Sequence, residues 1–378
     1  MKIAFILPHF YPYVGGGEKM FYDMAVRLSA RGHEVRVVAR SVGKEYSGHK
    51  RMDGIDVWYC NWKEMFGHPF VRRADIEKHI KWCDIVHTST YTTAPITSKL
   101  ARKYNKKSVI TIYEVRGNKW YWCDNFVKAT IYNLVEQYSC RQHFDACHSI
   151  SYATERDIKR FIKAKNVRTV YIANEMKDNV YESDFSLRSY FNLPEDAKVF
   201  LYYGRPGKTK GVQVYEKAIE ELLIKRGVKT NYRFCFILGK EPVNLRTEFV
   251  KLIKEKGLEG RVLIRDSVRR EDLSAAISQA DCVVVPSVTE GFGFSALEAC
   301  QLGAPLIYSD GGSLPEVAYG ECMSFRNRDY KDLANKLNAV ICHGEKAFSK
   351  VAAKEFTYEA MIEGIEKIYK ECLGSNKK

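Results

Sequence analysis

The segment 286–316 constrains the fold of this chain more than any other, because it directly follows a predicted strand and contains a glycine-rich turn and a helix. Residues 281–285 (DCVVV) are a short apolar run that predicts a buried strand ending at Pro286. Residues 295–302 have helical composition and stop before Gly303, a typical C-terminal cap. A loop between a strand's carboxyl end and a helix's amino end is where open α/β sheets bind ligands.

The groups in this loop suit a phosphorylated sugar. Backbone amides and the positive end of the helix dipole favour a phosphate or diphosphate. Glu290 and Glu298, on either side of the turn, can accept hydrogen bonds from vicinal hydroxyls. The segment therefore indicates a nucleotide-sugar site, and the alternative is an ordinary strand–turn–helix with two solvated glutamates. The predicted donor-binding residues of the segment are Glu290, Gly291, Phe292, Gly293, Phe294 and Glu298.

An ordered set of motifs over about thirty residues resembles the signature of the retaining glycosyltransferases of family 4. The set is Glu290, Gly-Phe-Gly at 291–293, Glu298, Gly-Ala-Pro at 303–305, Gly-Gly at 311–312 and Glu316. The resemblance implies an α/β protein of the GT-B fold, with two Rossmann-like doubly wound domains facing across a cleft. It implies a hexosyltransferase that uses a UDP- or GDP-sugar and a hydroxyl acceptor. It also implies that Glu290 contacts the transferred sugar and Glu298 the ribose.

Length and patterning agree with two domains. A chain of 378 residues exceeds one ordinary core, and its strands alternate with helices as in doubly wound folds. The pattern begins with a strand at 2–7, a helix at 18–31 and a strand at 34–39, and it restarts at 199–203. Residues 174–198 are polar and predict an irregular linker.

We therefore expect an N-terminal acceptor-binding domain over 1–180 and a C-terminal nucleotide-sugar-binding domain over 190–355. A final helix over 356–378 has apolar residues at helical spacing. The resemblance implies that this helix crosses back to the first domain.

A second strand-to-helix junction, Gly204–Gly211 (GRPGKTKG), begins and ends with glycine and carries one further glycine and three cations between them. It is a candidate anion site, with a basic surface turn as the alternative. The resemblance places Arg205 and Lys210 against the donor diphosphate, with Lys208 as a substitute. The predicted catalytic residues are Glu290, Arg205 and Lys210, because the two cations would stabilise the departing nucleoside diphosphate.

The glycines before the first helix form another candidate contact. The run lacks the dinucleotide fingerprint, which argues against an NAD domain. The resemblance implies that Gly16 and Gly17 reach towards the diphosphate and acceptor, and the alternative is a flexible turn.

The motifs that lie near the acceptor in the family are matched more loosely in this chain. A Thr-x-His context common in the family reads Thr-Ile-Tyr here and ends at Tyr113. The pattern Asp-x-x-His-x-His keeps only its first histidine, His87. These two residues are the predicted acceptor side, and the acceptor stays open between a soluble glycan and a lipid-linked one.

Metal and cofactor chemistry are not expected. The chain has no Asp-x-Asp motif, so we predict metal independence and no cofactor. The cluster Cys140, His143, Cys147 and His148 is imaginable as a metal site, but all four residues lie within nine positions, so a helix with a half-buried face is preferred.

Eleven cysteines without paired spacing indicate free thiols in a reducing compartment. The first apolar run, which Pro8 ends, is too short for a signal peptide. We expect a cytoplasmic protein.

The formal charge of +14 requires an acidic partner or surface. No nucleic-acid-binding motif is present, so specific nucleic-acid recognition is not expected. Aromatic and basic residues mix at 61–73 and 116–132, which predicts core packing or, as a secondary hypothesis, peripheral contact with an anionic membrane. Two rival functions stay open: a nucleotide-sugar epimerase or phosphorylase of the same fold, and a non-catalytic polyanion-binding protein.

Overall fold

The structure, a computed structural model, describes residues 1–13, 15–65, 68–123, 125–174, 176 and 183–374, without the side chains of 64, 65, 68, 69 and 123. The chain divides into two compact units. The N-terminal unit comprises Met1–Ala173 and Phe356–Lys378, and the C-terminal unit comprises Asn174–Glu355.

The N-terminal unit is built on a mostly parallel sheet. Its strands are β1 Lys2–Ile6, β2 Glu34–Arg40, β3 Gly48–Met52, β4 Ile55–Cys60, β5 Glu64–Met65, β6 His68–Pro69, β7 Ile85–Ser89, β8 Lys107–Ile112, β9 Ala146–Ser149 and β10 Val167–Thr169. The main sheet has the order β10-β9-β8-β7-β1-β2-β4-β3, and β5 pairs with β6 separately. Only the edge strand β3 of the main sheet runs antiparallel to its neighbour.

Helices cover this sheet. They are α1 Gly16–Ala30, α2 Arg73–Trp82, α3 Thr93–Lys103, α4 Trp120–Cys123, α5 Phe126–Cys140 and α6 Tyr152–Asp157. The predicted stripe of α1 is confirmed, because Met20, Met24 and Leu28 are all buried. A 3-10 turn at Gly117–Lys119 precedes α4, and a π turn at Ile158–Ile162 follows α6.

The C-terminal unit repeats the architecture. Its strands are β11 Lys198–Gly204, β12 Tyr232–Leu238, β13 Val262–Asp266, β14 Cys282–Val285, β15 Leu306–Ser309, β16 Gly320–Phe325 and β17 Ser349–Val351. The sheet order is β13-β12-β11-β14-β15-β16-β17, with β17 antiparallel. Its helices are α7 Leu187–Phe191, α8 Val212–Glu220, α9 Val243–Glu255, α10 Arg270–Ser278, α11 Phe294–Gln301, α12 Leu314–Val317 and α13 Tyr330–His343. A π turn at Glu221–Lys225 and a 3-10 turn at Gly344–Ala347 complete the unit.

The last helix, α14 Tyr358–Gly374, belongs to the N-terminal unit. Its apolar residues, among them Met361, Ile365 and Tyr369, are buried there. Among the described residues, no helix combines the length and the apolarity that a bilayer crossing requires.

Two expectations need correction. The predicted linker contains α7, whose Leu187 and Phe191 are buried in the C-terminal unit's core; positions 175 and 177–182 lie outside the described residues. The cluster at 140–148 is neither a metal site nor one helix face, because α5 ends at Cys140 and Cys147 lies on β9.

The 61–73 segment agrees in part with the expected core packing. Trp62 and Val71 are buried, whereas Phe70 is 65% exposed.

Candidate functional site

The C-terminal sheet reverses its strand order between β11 and β14, which lie side by side although β12 and β13 separate them in sequence. At such a point, the segments that follow the two neighbouring strands run in opposite directions. A crevice therefore forms at the carboxyl edge of the sheet. Two loops begin there: 205–211 after β11 and 286–293 after β14. The two motifs singled out in the sequence thus meet at one edge of one sheet.

Backbone contacts hold the two loops together. The carbonyl of Thr209 accepts hydrogen bonds from the amides of Val288 at 2.8 Å and Thr289 at 3.4 Å. Gly211 packs directly on the end of β14, since an ideal Cβ there would lie 1.8 Å from the carbonyl oxygen of Pro286. Its φ of +70° also favours glycine. The close approach of the loops therefore depends on this residue.

A charged cluster lies where the loops meet. The Lys210 Nζ atom lies 2.6 Å from Glu290 Oε1, and the Ser287 hydroxyl donates to the same oxygen at 2.8 Å. The Glu290 side chain is 11% exposed and the Lys210 side chain 32%. The backbone carbonyl of Glu290 accepts from the amide and the hydroxyl of Ser313. One carboxylate oxygen and the backbone of Glu290 are thus both held in place, and the Lys210 side chain beside the carboxylate keeps exposed area.

The glycine-rich turn supplies the start of α11. Gly293 caps this eight-residue helix, and Phe294 is its first residue. Phe292 is buried and packs edge-to-face on Phe294, with ring centroids 5.4 Å apart. The turn's backbone, rather than the Phe292 ring, is therefore the part that can face a ligand.

Glu298 lies in the middle of α11 and is almost completely buried. Its Oε1 accepts from the Asn174 side chain at 3.0 Å, and Arg270 donates to the amide oxygen of Asn174 at 2.5 Å. Burial raises the pKa of the Glu298 carboxyl, while nearby Arg270 and Asn174 act in the opposite direction. This chain of contacts fixes the orientation of the carboxyl group.

Arg205, the second predicted cation of the site, is exposed at the beginning of its loop. Its backbone carbonyl accepts from the Tyr202 hydroxyl at 3.1 Å. The structure therefore brings Lys210 and Glu290 into contact and holds Arg205 in the same loop, with its side chain in solvent.

In the N-terminal unit, Gly16 and Gly17 are the first residues of α1, so this helix starts two residues before the predicted position. An ideal Cβ at Gly17 would lie 2.8 Å from the Tyr113 ring. The absence of a side chain at Gly17 thus makes room for Tyr113, which follows β8. Burial raises the pKa of Tyr113 well above its usual value, and Glu18 adds to the effect.

His87 is not at a surface where an acceptor could touch it, contrary to the prediction. It has no exposed area, and its ring nitrogens lie 2.7 Å from the hydroxyls of Tyr369 and Thr111. Thr111 continues the network to His148. Burial lowers the pKa of both histidines, which are therefore neutral at pH 7. His87 anchors the last helix to the sheet.

Sequence reasoning missed the side chains that orient the two glutamates: Ser287, Ser313, Asn174 and Arg270. A serine three residues before Glu290 is a weak local signal. Asn174 lies 124 residues from Glu298 and carries no pattern that connects them. In the part of the chain that the structure describes, no three His, Cys, Asp or Glu residues are placed to hold a metal ion.

The comparisons with known proteins agree with this architecture. Residues 185–354 match the family model of "Glycosyl transferases group 1", and residues 14–174 match that of "Glycosyltransferase Family 4". The chain is 22% identical over 306 residues, 79% of this chain and 82% of the other, to the O-antigen biosynthesis glycosyltransferase WclY of Escherichia coli.

Two solved structures show the same fold. A sucrose-phosphate synthase from Thermosynechococcus elongatus superposes with a TM-score of 0.78 at 19% identity, over 99% of both chains. HepE from Anabaena, solved with UDP and glucose, gives 0.71 at 16% identity over the full length of both. The fold is therefore GT-B, as predicted. Matched by both family models over most of its length, the chain belongs to the group 1, family 4 glycosyltransferases and is a glycosyltransferase.

Proposed function

We propose that this enzyme transfers a hexosyl group from a nucleoside diphosphate sugar to a hydroxyl acceptor, with retention of configuration and without a metal ion. The observation that carries the proposal is the contact of Lys210 with Glu290 at the switch point between β11 and β14. A UDP- or GDP-sugar is the expected donor, since HepE, of the same fold, is solved with UDP-glucose.

In the proposed reaction, the bond between the anomeric carbon and the diphosphate oxygen breaks. The acceptor oxygen bonds to the same carbon on the same face, and its proton passes to the departing phosphate. Lys210 and Arg205 offset the charge that develops on the leaving group. Glu290 binds the sugar, and its contact tightens as positive charge develops on the ring. Glu298, fixed by Asn174, binds the ribose.

The acceptor is assigned to the N-terminal unit, where Gly16, Gly17 and Tyr113 lie together. His87 acts there only by fixing α14 to the sheet. A cytoplasmic location is supported by the cysteines, since those whose side chains are described are free and mostly buried.

Donor binding is tested by calorimetry with UDP, GDP and ADP. Arg205→Ala removes an exposed cation from the loop, and it is expected to weaken binding of the preferred nucleotide by about 1–3 kcal/mol, because one charge-assisted hydrogen bond is lost. The matched control is Lys251→Ala, which removes an exposed cation from α9. Unchanged affinity in Arg205→Ala would contradict its role.

Product analysis tests the rest of the proposal. Turnover in the presence of a chelator supports metal independence. A product whose glycosidic bond has the same anomeric configuration as the donor supports retention. A free epimer or a sugar phosphate would instead indicate an epimerase or a phosphorylase. Binding without nucleotide preference that collapses with salt would indicate a polyanion-binding protein.

Tyr113 is expected to position the acceptor rather than titrate. Its pKa is raised by burial, so the phenol stays protonated across the working range and gives no basic limb near neutral pH. Tyr113→Phe should cost less than about tenfold in rate, and its pH profile from about pH 6 to 9 should match that of the wild type. Tyr113→Ala should cost more, because the ring packs on Gly17. A basic limb that disappears in Tyr113→Phe would show that the phenol works as an acid or base.

A further inference from the structure

One face of α5 is apolar and exposed. Val127, Ile131, Leu134 and Tyr138 are spaced by four, three and four residues, so they lie on one side of the helix. Each is more than half exposed: 67%, 52%, 63% and 63%. An apolar stripe at helical spacing normally faces a core, and here it faces solvent. Such a contiguous surface indicates a binding partner.

Aromatic residues extend the stripe at its amino end. Phe126 is 75% exposed and Trp122 is 56% exposed. Tyr121, on α4, packs against Phe126 with ring centroids 5.5 Å apart. Tyr and Trp have an apolar ring and a polar edge, which suits them to the boundary between lipid and water. We name the exposed face formed by α4 and α5 the α5 surface.

The α5 surface is basic as well as apolar. Within 126–140 the only acid is Glu136, which is buried and accepts from the amides of Arg116 at 3.0 Å and Gly117 at 2.7 Å. This acid is therefore used to hold α5 against the preceding turn and does not face solvent. Lys128 is exposed on the helix, and the exposed Arg141 follows its last residue.

The basic character continues beyond the helix. The Arg141 guanidinium donates to the carbonyl of Phe161 at 3.1 Å, which brings the π turn Ile158–Ile162 to the carboxyl end of α5. Arg160 and Lys163, on either side of that contact, are both exposed. Apolar side chains thus run along α5, with aromatic rings at its amino end, Lys128 in its first turn and further cations at its carboxyl end.

We propose that the α5 surface docks on an anionic lipid bilayer, with α5 lying in the interface. Its apolar stripe would enter the headgroup region and its cations would contact lipid phosphates. A second copy of the chain suits the surface less well, because a symmetric contact would place two faces with the same positive charge against each other. The formal net charge of +14 also favours an anionic lipid surface over a second copy of the chain.

A consequence follows for the substrate. If the N-terminal unit docks on a membrane and also binds the acceptor, the acceptor hydroxyl is carried by a lipid. Only this consequence rests on the proposed glycosyl transfer, since membrane docking requires no donor and no turnover.

The test is co-sedimentation with vesicles of phosphatidylglycerol and phosphatidylcholine, without donor. The wild type should bind at low salt, release at high salt and bind pure phosphatidylcholine weakly. Ile131→Glu with Leu134→Glu should weaken binding at least tenfold, and Ile131→Ser with Leu134→Ser should also weaken it, which isolates the apolar contribution from the charge. Lys128→Ala should weaken binding about fivefold.

The matched control is Val243→Glu with Val250→Glu, which adds the same charge at exposed apolar positions of α9 in the other unit. This control should bind vesicles as the wild type does. Because all of these positions are exposed, the thermal unfolding and the nucleotide affinity of every variant should be unchanged. Nucleotide binding also separates the two proposals, since its loss would concern the donor site and not the α5 surface.

Three results would overturn the proposal. The first is absence of wild-type binding to anionic vesicles at low ionic strength, and the second is equal loss of vesicle binding in the α9 control. The third is a concentration-dependent dimer that Ile131→Glu with Leu134→Glu dissociates while no form of the protein binds vesicles, which would show that the surface joins two copies of the chain.

Discussion

Lys210→Ala is expected to lower kcat at least about 100-fold and to weaken donor binding by about 1–3 kcal/mol. Lys210 is the cation that contacts Glu290, and its side chain is 32% exposed, so it can meet a diphosphate. Its removal takes away charge stabilisation of the leaving group, and it also leaves the Glu290 carboxylate mostly buried without a cation. Initial rates and calorimetry measure the two effects separately.

The same loop contains its own control. Lys208 is exposed, lies two residues before Lys210 and carries the same charge. Lys208→Ala should therefore change the rate only a few-fold, because the cation that contacts Glu290 is still present in this variant. If Lys208→Ala inactivates the enzyme and Lys210→Ala does not, Lys208 is the diphosphate ligand and the assignment of Lys210 is wrong.

Glu290→Gln completes the comparison. The amide keeps an oxygen that can accept from the Ser287 hydroxyl, but it loses the charge that attracts Lys210 and would stabilise a positive sugar ring. We expect kcat to fall more than donor affinity. In a double-mutant cycle, Lys210→Ala and Glu290→Gln should be non-additive, since the two side chains are in contact. Additive losses would show that they act independently.

Gly211→Ala is expected to destabilise the C-terminal unit by about 3–5 kcal/mol. Two costs combine. An alanine at φ +70° is strained by about 1–2 kcal/mol, and its Cβ would overlap the carbonyl oxygen of Pro286 at 1.8 Å, so the two loops must move apart. Because a neighbouring residue is Lys210, the shift should also lower nucleotide affinity.

Gly257→Ala is the matched control for the backbone cost. Gly257 has a φ of +63°, and no atom lies within 4 Å of its ideal Cβ position. It should lose only about 1 kcal/mol and keep full nucleotide affinity. Denaturant unfolding followed by circular dichroism measures both variants. Equal losses in Gly211→Ala and Gly257→Ala would show that the contact with Pro286 contributes nothing.

The sequence predicted the architecture well because the signals that specify it are local. Apolar runs mark buried parallel strands, the stripe of α1 marks its core-facing side, and glycines mark the loops after β11 and β14. Each of these depends on residues within one turn or one strand of each other. The α/β class, the GT-B fold and the glycosyltransferase family were therefore predictable before any coordinates.

Other features depended on the order of strands in the sheet. The contact of Lys210 with Glu290 exists because β14 pairs with β11, and these residues are 80 positions apart. Asn174 was not predicted either, because it contacts Glu298 from 124 positions away. Long-range pairing brings such side chains together, and no local pattern encodes it.

Burial was decided by tertiary structure in the same way. Trp62 and Trp122 both occur in aromatic and basic segments, yet the first is 2% exposed and the second 56%. His87 ended in the core because α14 returns to the N-terminal unit and its Tyr369 covers the strand. Helical periodicity shows that a helix such as α5 has an apolar side, but which side is covered depends on the elements that pack against it. Sequence by itself determined the elements and the chemistry of their loops, and only the packing of those elements decided which side chains meet and which face water.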